Sequence, residues 1–209
     1  MPELALTQDM HVHSTFSDGH NTIEENIAEA ERIGLIELTC VDHVRKDTDW
    51  VPDYVAEVNQ LKAHTPLLLH CAVEAKILNT GGLLDVPEDL SGVEAVYAAD
   101  HQVPSPTGPM HPGVVREQIE LAELEPQVAI AWIVAATAAA VRHHESIVIA
   151  HLFSVLPKIG CNEEDVPLEL IDSLAWTAAD AGARIEVDER WCCPASRTLR
   201  PFLRRGIPL

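Results

Sequence analysis

Residues 11–20 read HVHSTFSDGH, with three histidines, an aspartate and small hydroxyl residues in ten positions. Side chains at i and i+2 of a strand point to one face, so His11 and His13 can grip one ion while Val12 packs the other way. Further along, metal-capable side chains end apolar runs: Asp42 and His43 in CVDHVRK, Glu74 in LLLHCAVEAK, His101 in VYAADHQ and His151 in IVIAHLF. A carboxylate at the end of a run like that before Glu74 needs a cation to face it. A bridging metal meets that need, and an ion pair with Lys76 is the structural alternative. Asp42 and His43 are adjacent, so only one points inward if the backbone stays extended. The other is an outer partner or faces substrate, and Asp9, Asp42 and Asp100 are each able to take the second N–H of a metal-bound imidazole. His20 follows a Ser-Asp-Gly turn that can fold the chain back over the site.

These residues need elements to hold them. Short apolar runs alternate with helical segments, without internal repeats. Strands are expected at 6–12, 36–41, 67–73, 93–99, 147–150 and 184–187, with a seventh starting at Ile207. Helices are expected at 22–34, 53–63, 113–123, 127–142, 167–181 and 195–205. Thr22 and Glu25 form a capping-box signature, and Gly34 suits the end of the first helix. This βα alternation predicts an α/β fold with a mainly parallel sheet. Ligands at five successive strand ends favour a barrel, whose sites assemble at the carboxyl ends of the strands.

Composition bounds the rest. The chain has 209 residues, 47% of them hydrophobic, which suits one domain over residues 1–209. A formal charge of −19, from 33 acidic and 14 basic residues, disfavours nucleic acid as a partner. The apolar run at 127–141 is about fifteen residues, short of the roughly twenty a membrane span needs, and reads as a buried helix. Five cysteines without a CxxC pair and a start lacking a basic, apolar signal predict the reducing cytoplasm. His64, His70, His143 and His144 read as structural, as do Cys40, Cys71 and the adjacent Cys192 and Cys193.

The order HVHSTFSDGH, VDH, VEAK, ADH, AHL resembles the PHP family, named for polymerase and histidinol phosphatase. The resemblance spans nearly the whole chain and implies a distorted seven-stranded (β/α) barrel of TIM-like type that hydrolyses phosphate esters. It implies two to three divalent transition-metal ions: His11, His13 and Glu74 on the first, Glu74 with His101 and His151 on the second, and His20 with His43 on the third. VDH stands where a threonine-led triplet is more usual. Family members continue past a segment like FLRRGIPL to an Asp-x-His motif, whereas this chain ends at Leu209. The expectation is therefore a barrel lacking its C-terminal part.

Imidazole and carboxylate ligands favour zinc, manganese or iron over magnesium. The expected function is a metal-dependent phosphoesterase acting on a small phosphate ester, histidinol-phosphate-like or nucleotide-like, through a metal-activated hydroxide. Asp42 is assigned beside the metals, and Arg190 and Arg197 are the two candidates for clamping phosphate. The alternatives are a barrel amidohydrolase, which also begins with HxH, and a metal-binding module without turnover.

Overall fold

The computed structural model describes residues 7–209; the expected start of the first strand at Leu6 lies outside them. The chain is α/β, and its contacts divide it into two compact units, one of residues up to Ala75 with Val86–Val96, the other of Lys76–Asp85 with Tyr97–Leu209.

The first unit begins β1 (Gln8–Val12), α1 (Ile23–Ile33), β2 (Glu37–Val44) and α2 (Val51–Lys62). It also holds most of β3 (Leu68–Lys76). β1 pairs with β2 and β2 with β3, both in parallel. α1 starts as its sequence dictates: the Thr22 hydroxyl accepts from the Glu25 N–H, and the Glu25 carboxylate accepts from the Thr22 N–H. Such a cap contributes about 1 kcal/mol. Gly34 ends the helix in the left-handed region at φ 85°. Pro52 stands in the first turn of α2, where its missing N–H costs nothing. That helix buries Tyr54 and Val58, and the Tyr54 hydroxyl donates to the Ala72 carbonyl at 2.9 Å, tying α2 to β3.

The second unit holds most of β4 (Ala95–Ala99) and continues with β5 (Val103–Ser105), β6 (Gly108–Met110), α3 (Pro112–Glu120) and α4 (Pro126–His143). β7 (Ile147–Ile149), α5 (Leu168–Ala181), β8 (Arg184–Ile185) and α6 (Ser196–Arg204) complete it. Its core gathers Ile130 and Ile133 of α4, Ile149 of β7, Leu152, Phe153 and Leu156 after it, and Phe202 of α6. No helix among the described residues is long and apolar enough to cross a membrane. The apolar stretch of α4 is spent on this core, and the chain presses it so closely at Gly82 that a β-carbon there would lie 2.2 Å from the Ala140 nitrogen.

Six strands follow the hydrogen-bonded order β1-β2-β3-β4-β7-β8. β7 and β8 are also parallel. The order is linear among the described residues, so the closed seven-stranded barrel is not formed in its hydrogen bonding. Where a seventh strand was expected, Pro208 offers its carbonyl to the Ile185 N–H at 3.1 Å. The Pro-rich segment after His101 folds as the antiparallel hairpin β5–β6, an element its sequence did not announce.

Candidate metal centre

The register of β2 on β3 builds the first unit's polar centre. His43 and Glu74 are direct partners across that pair, so both side chains stand on one face. Asp42, one residue earlier, alternates away. A register irregularity in β1 between Asp9 and Val12 precedes His13, which lies just past the strand end. Glu74 is only 2% exposed. Its Oε2 is met by His43 Nδ1 at 3.0 Å, His11 Nε2 at 3.3 Å and His13 Nε2 at 3.6 Å. Lys76, the alternative partner from sequence, pairs instead with Asp85 at 3.8 Å.

A second ligand group shares His13. Asp18 Oδ1 lies 3.7 Å from His13 Nδ1, and Asp18 Oδ2 lies 3.5 Å from His43 Nε2. The sets His11, His13, Glu74 and His13, Asp18, His43 each bring one ligand atom per residue within 4.8 Å of the others. His13 Nδ1 is buried without a hydrogen-bond partner among the described residues. Buried polar atoms are rarely left so, and a cation between His13 and Asp18 would satisfy this one. The donor set therefore fits a divalent transition ion.

Electrostatics agree with the geometry. Burial holds the His13 imidazole below its ordinary pKa, helped by the neighbouring charges of His11 and His43 and opposed by Glu74 and Asp18. A histidine kept neutral is a ready ligand. Burial also works against charging His43, but the hydrogen bond and charge of Glu74, with Asp18, outweigh it and raise its pKa. Cys40 and Cys71 have their thiols pushed up to about 12, chiefly by burial, which makes them inert packing groups.

Asp18 reaches its place because the loop after β1 is tied down at both ends. Asp42, fully buried, accepts from the Ser14 N–H at 2.9 Å, the Ser14 hydroxyl at 2.7 Å and the Ser17 hydroxyl at 2.5 Å. Its carboxylate thus positions the loop. Phe16 anchors the loop's apolar side against Trp50 and Tyr54, with ring centroids 5.4 and 5.3 Å away. The Gly19 N–H returns to the Ser14 carbonyl at 2.9 Å, and only a residue without a β-carbon fits there, since that atom would lie 2.5 Å from the His13 carbonyl carbon. His20 is exposed and belongs to neither ligand group. Asp18, the aspartate of the Ser-Asp-Gly turn, is the residue of this loop that stands with His13 and His43.

The second unit gathers its own polar residues. His101 and His151 have ring centroids 5.3 Å apart. Asp100 accepts from the Phe153 N–H and the Ser154 hydroxyl, each at 3.0 Å. Of the two arginines, Arg197 donates to the carbonyls of Glu163 and Val166, both at 2.9 Å, which fastens α6 to the turn before α5. The Arg190 guanidinium lies over the Trp191 ring at 5.6 Å. Asp9, the other outer-partner candidate, accepts from the His11 backbone N–H at 3.3 Å. No family model and no curated protein matches this chain.

Proposed function

We propose that this protein is a metal-dependent phosphoesterase acting on a small phosphate ester, with zinc, manganese or iron as its resident ions. The observation that carries the reading is the pair of ligand groups sharing His13, one built around Glu74 and one around Asp18. Two adjoining groups call for more than one cation, and dinuclear sites are characteristic of phosphate-ester hydrolysis. Bound ions of this kind supply Lewis acidity and lower the pKa of water toward ~7.

The chain's own residues supply the holding and the aim. Glu74 brings a carboxylate that stays buried only when cations face it. His11 and His13 bind through neutral imidazoles, which burial favours for His13. Asp42 holds the loop that carries Asp18, so it acts by positioning. His101 and His151 offer a further imidazole pair in the second unit. A formal charge of −19 is compatible with an anionic substrate because ions set the field at the site.

The test is a substrate panel. The chain, loaded in turn with manganese, zinc and iron, is assayed on phosphate monoesters and diesters beside lactones and amides. Turnover of a phosphate ester that chelation removes and metal restores is the expected result. Turnover only of a lactone or amide would transfer the site to an amidohydrolase, and bound metal with no turnover of either would make it a binding module.

A further inference from the structure

Asp100, His151 and Ser154 of the second unit are all buried, at 3%, 4% and 6% exposure. The turn that carries the last two has left-handed backbone at His151 (φ 27°) and Phe153 (φ 74°), conformations that cost energy unless the surroundings hold them. Two carboxylates do so. Glu186 accepts from the His151 N–H at 2.7 Å, and Asp100 accepts from the Phe153 N–H through Oδ2. That leaves Asp100 Oδ1 directed at the Ser154 hydroxyl at 3.0 Å, which in turn lies 2.9 Å from His151 Nδ1. The direct distance from His151 Nδ1 to Asp100 Oδ1 is 3.7 Å, too long for a hydrogen bond. The serine is the bridge.

We propose that Ser154 and Asp100 form a proton-ordering relay that fixes His151 in its Nδ1–H tautomer and makes Nε2 the lone-pair nitrogen of the ring. A carboxylate only accepts, and a serine has one proton to give. With that proton directed to Asp100, the contact between Ser154 and His151 is one in which the imidazole donates. The opposite order would set two acceptors, Ser154 Oγ and Asp100 Oδ1, 3.0 Å apart in a buried site with no proton between them. Ser154 is thus a positioning residue. Metal-bound histidines commonly have the second ring nitrogen held by an oxygen partner, directly or through a neighbour. The relay would ready His151 Nε2 for an ion without a change of tautomer. That use rests on the metal-dependent reading above, whereas the tautomer itself does not.

The 209-residue chain is labelled with ¹⁵N-histidine, freed of metal by chelation and read by two-bond ¹H–¹⁵N correlation at a pH where imidazoles are neutral. The His151 signals are assigned by their loss in His151→Gln. The expected result is a proton on Nδ1 in the native chain and in Ser154→Thr, and loss of that preference in Ser154→Ala. A proton on Nε2 in the native chain overturns the relay, and this arm needs no variant to fold. An unchanged tautomer in a folded Ser154→Ala overturns it as well. Zinc titration then separates the two claims: Ser154→Ala should weaken one zinc equivalent by about 10- to 100-fold, with Ser154→Thr near native. A changed tautomer with unaltered zinc affinity would support the relay and overturn the metal role of His151.

Discussion

His43 and Glu74 are register partners on β2 and β3, and Nδ1 of the first lies 3.0 Å from Oε2 of the second. The same oxygen is approached by His11 and His13, so one carboxylate organises three imidazoles. Glu74→Gln keeps the shape and removes the charge. It should weaken metal binding by more than about 100-fold, since loss of a ligand exceeds the 10- to 100-fold typical of outer partners, and phosphoesterase activity should fall with it. Lys76→Ala should keep its metal, because that lysine pairs with Asp85. Elemental analysis beside the rate decides the matter: equal metal retention in both folded variants would make Glu74 structural.

Asp18 and His20 make a sharper pair, because the family resemblance implies His20 as a ligand while Asp18 is the one that stands with His13 and His43. Asp18 Oδ1 and Oδ2 face His13 and His43, whereas His20 is exposed. Asp18→Asn should lower the metal stoichiometry and weaken the ion shared with His13. His20→Ala should leave both unchanged. Calorimetric zinc titration of the two variants checks this, and the reverse ranking would return the ligand role to His20.

The difference between these residues explains what was legible. The candidate ligands near strand ends could be read because alternation and apolar runs are local: His11, His13, His43 and Glu74 each follow from the residues beside them. The path of the loop at 14–19 is not local. It is set by Asp42, 28 residues beyond Ser14, and by the packing of Phe16 on Tyr54. Ser154 was hidden for the same reason, since its partner Asp100 is 54 residues away and the turn between them is left-handed. The helices came within a few residues because their caps and prolines are written in the chain, as at Thr22 and Gly34. The β5–β6 hairpin was not seen, because prolines at 104 and 109 argue against strands except at sheet edges.

Gly19 supplies a prediction about the loop alone. Its missing β-carbon would lie 2.5 Å from both the carbonyl carbon and oxygen of His13, so Gly19→Ala must push the loop away from β1. Overpacking of this kind costs about 1–3 kcal/mol, and each kcal/mol lowers the melting temperature by about 2–4 °C in a chain this long. Metal affinity should fall as well, because the shift carries Asp18 away from His13. A variant with native melting temperature and native zinc affinity would mean that the loop adapts without moving its ligand.

The last prediction concerns acid and lies away from the metal ligands. On β3, His70 bridges two carboxylates, Glu37 at 2.9 Å and Glu94 at 3.0 Å, and Lys62 also bonds Glu94. Burial alone would raise the pKa of Glu94, but the hydrogen bonds from Lys62 and His70 outweigh it and hold the group below its ordinary 4.5. A depressed carboxylate binds fewer protons folded than unfolded, so stability rises with pH across the interval between the two values. Glu94 therefore contributes its full stabilisation above about pH 4.5 and loses it as the pH falls through the folded value. Glu94→Gln should lower the melting temperature at pH 7 and flatten its fall between neutral and acid conditions, with zinc affinity at pH 7 unchanged. Parallel melting curves for the native chain and the variant from pH 7 down to pH 3, a constant distance apart, would show that Glu94 gains nothing from Lys62 and His70.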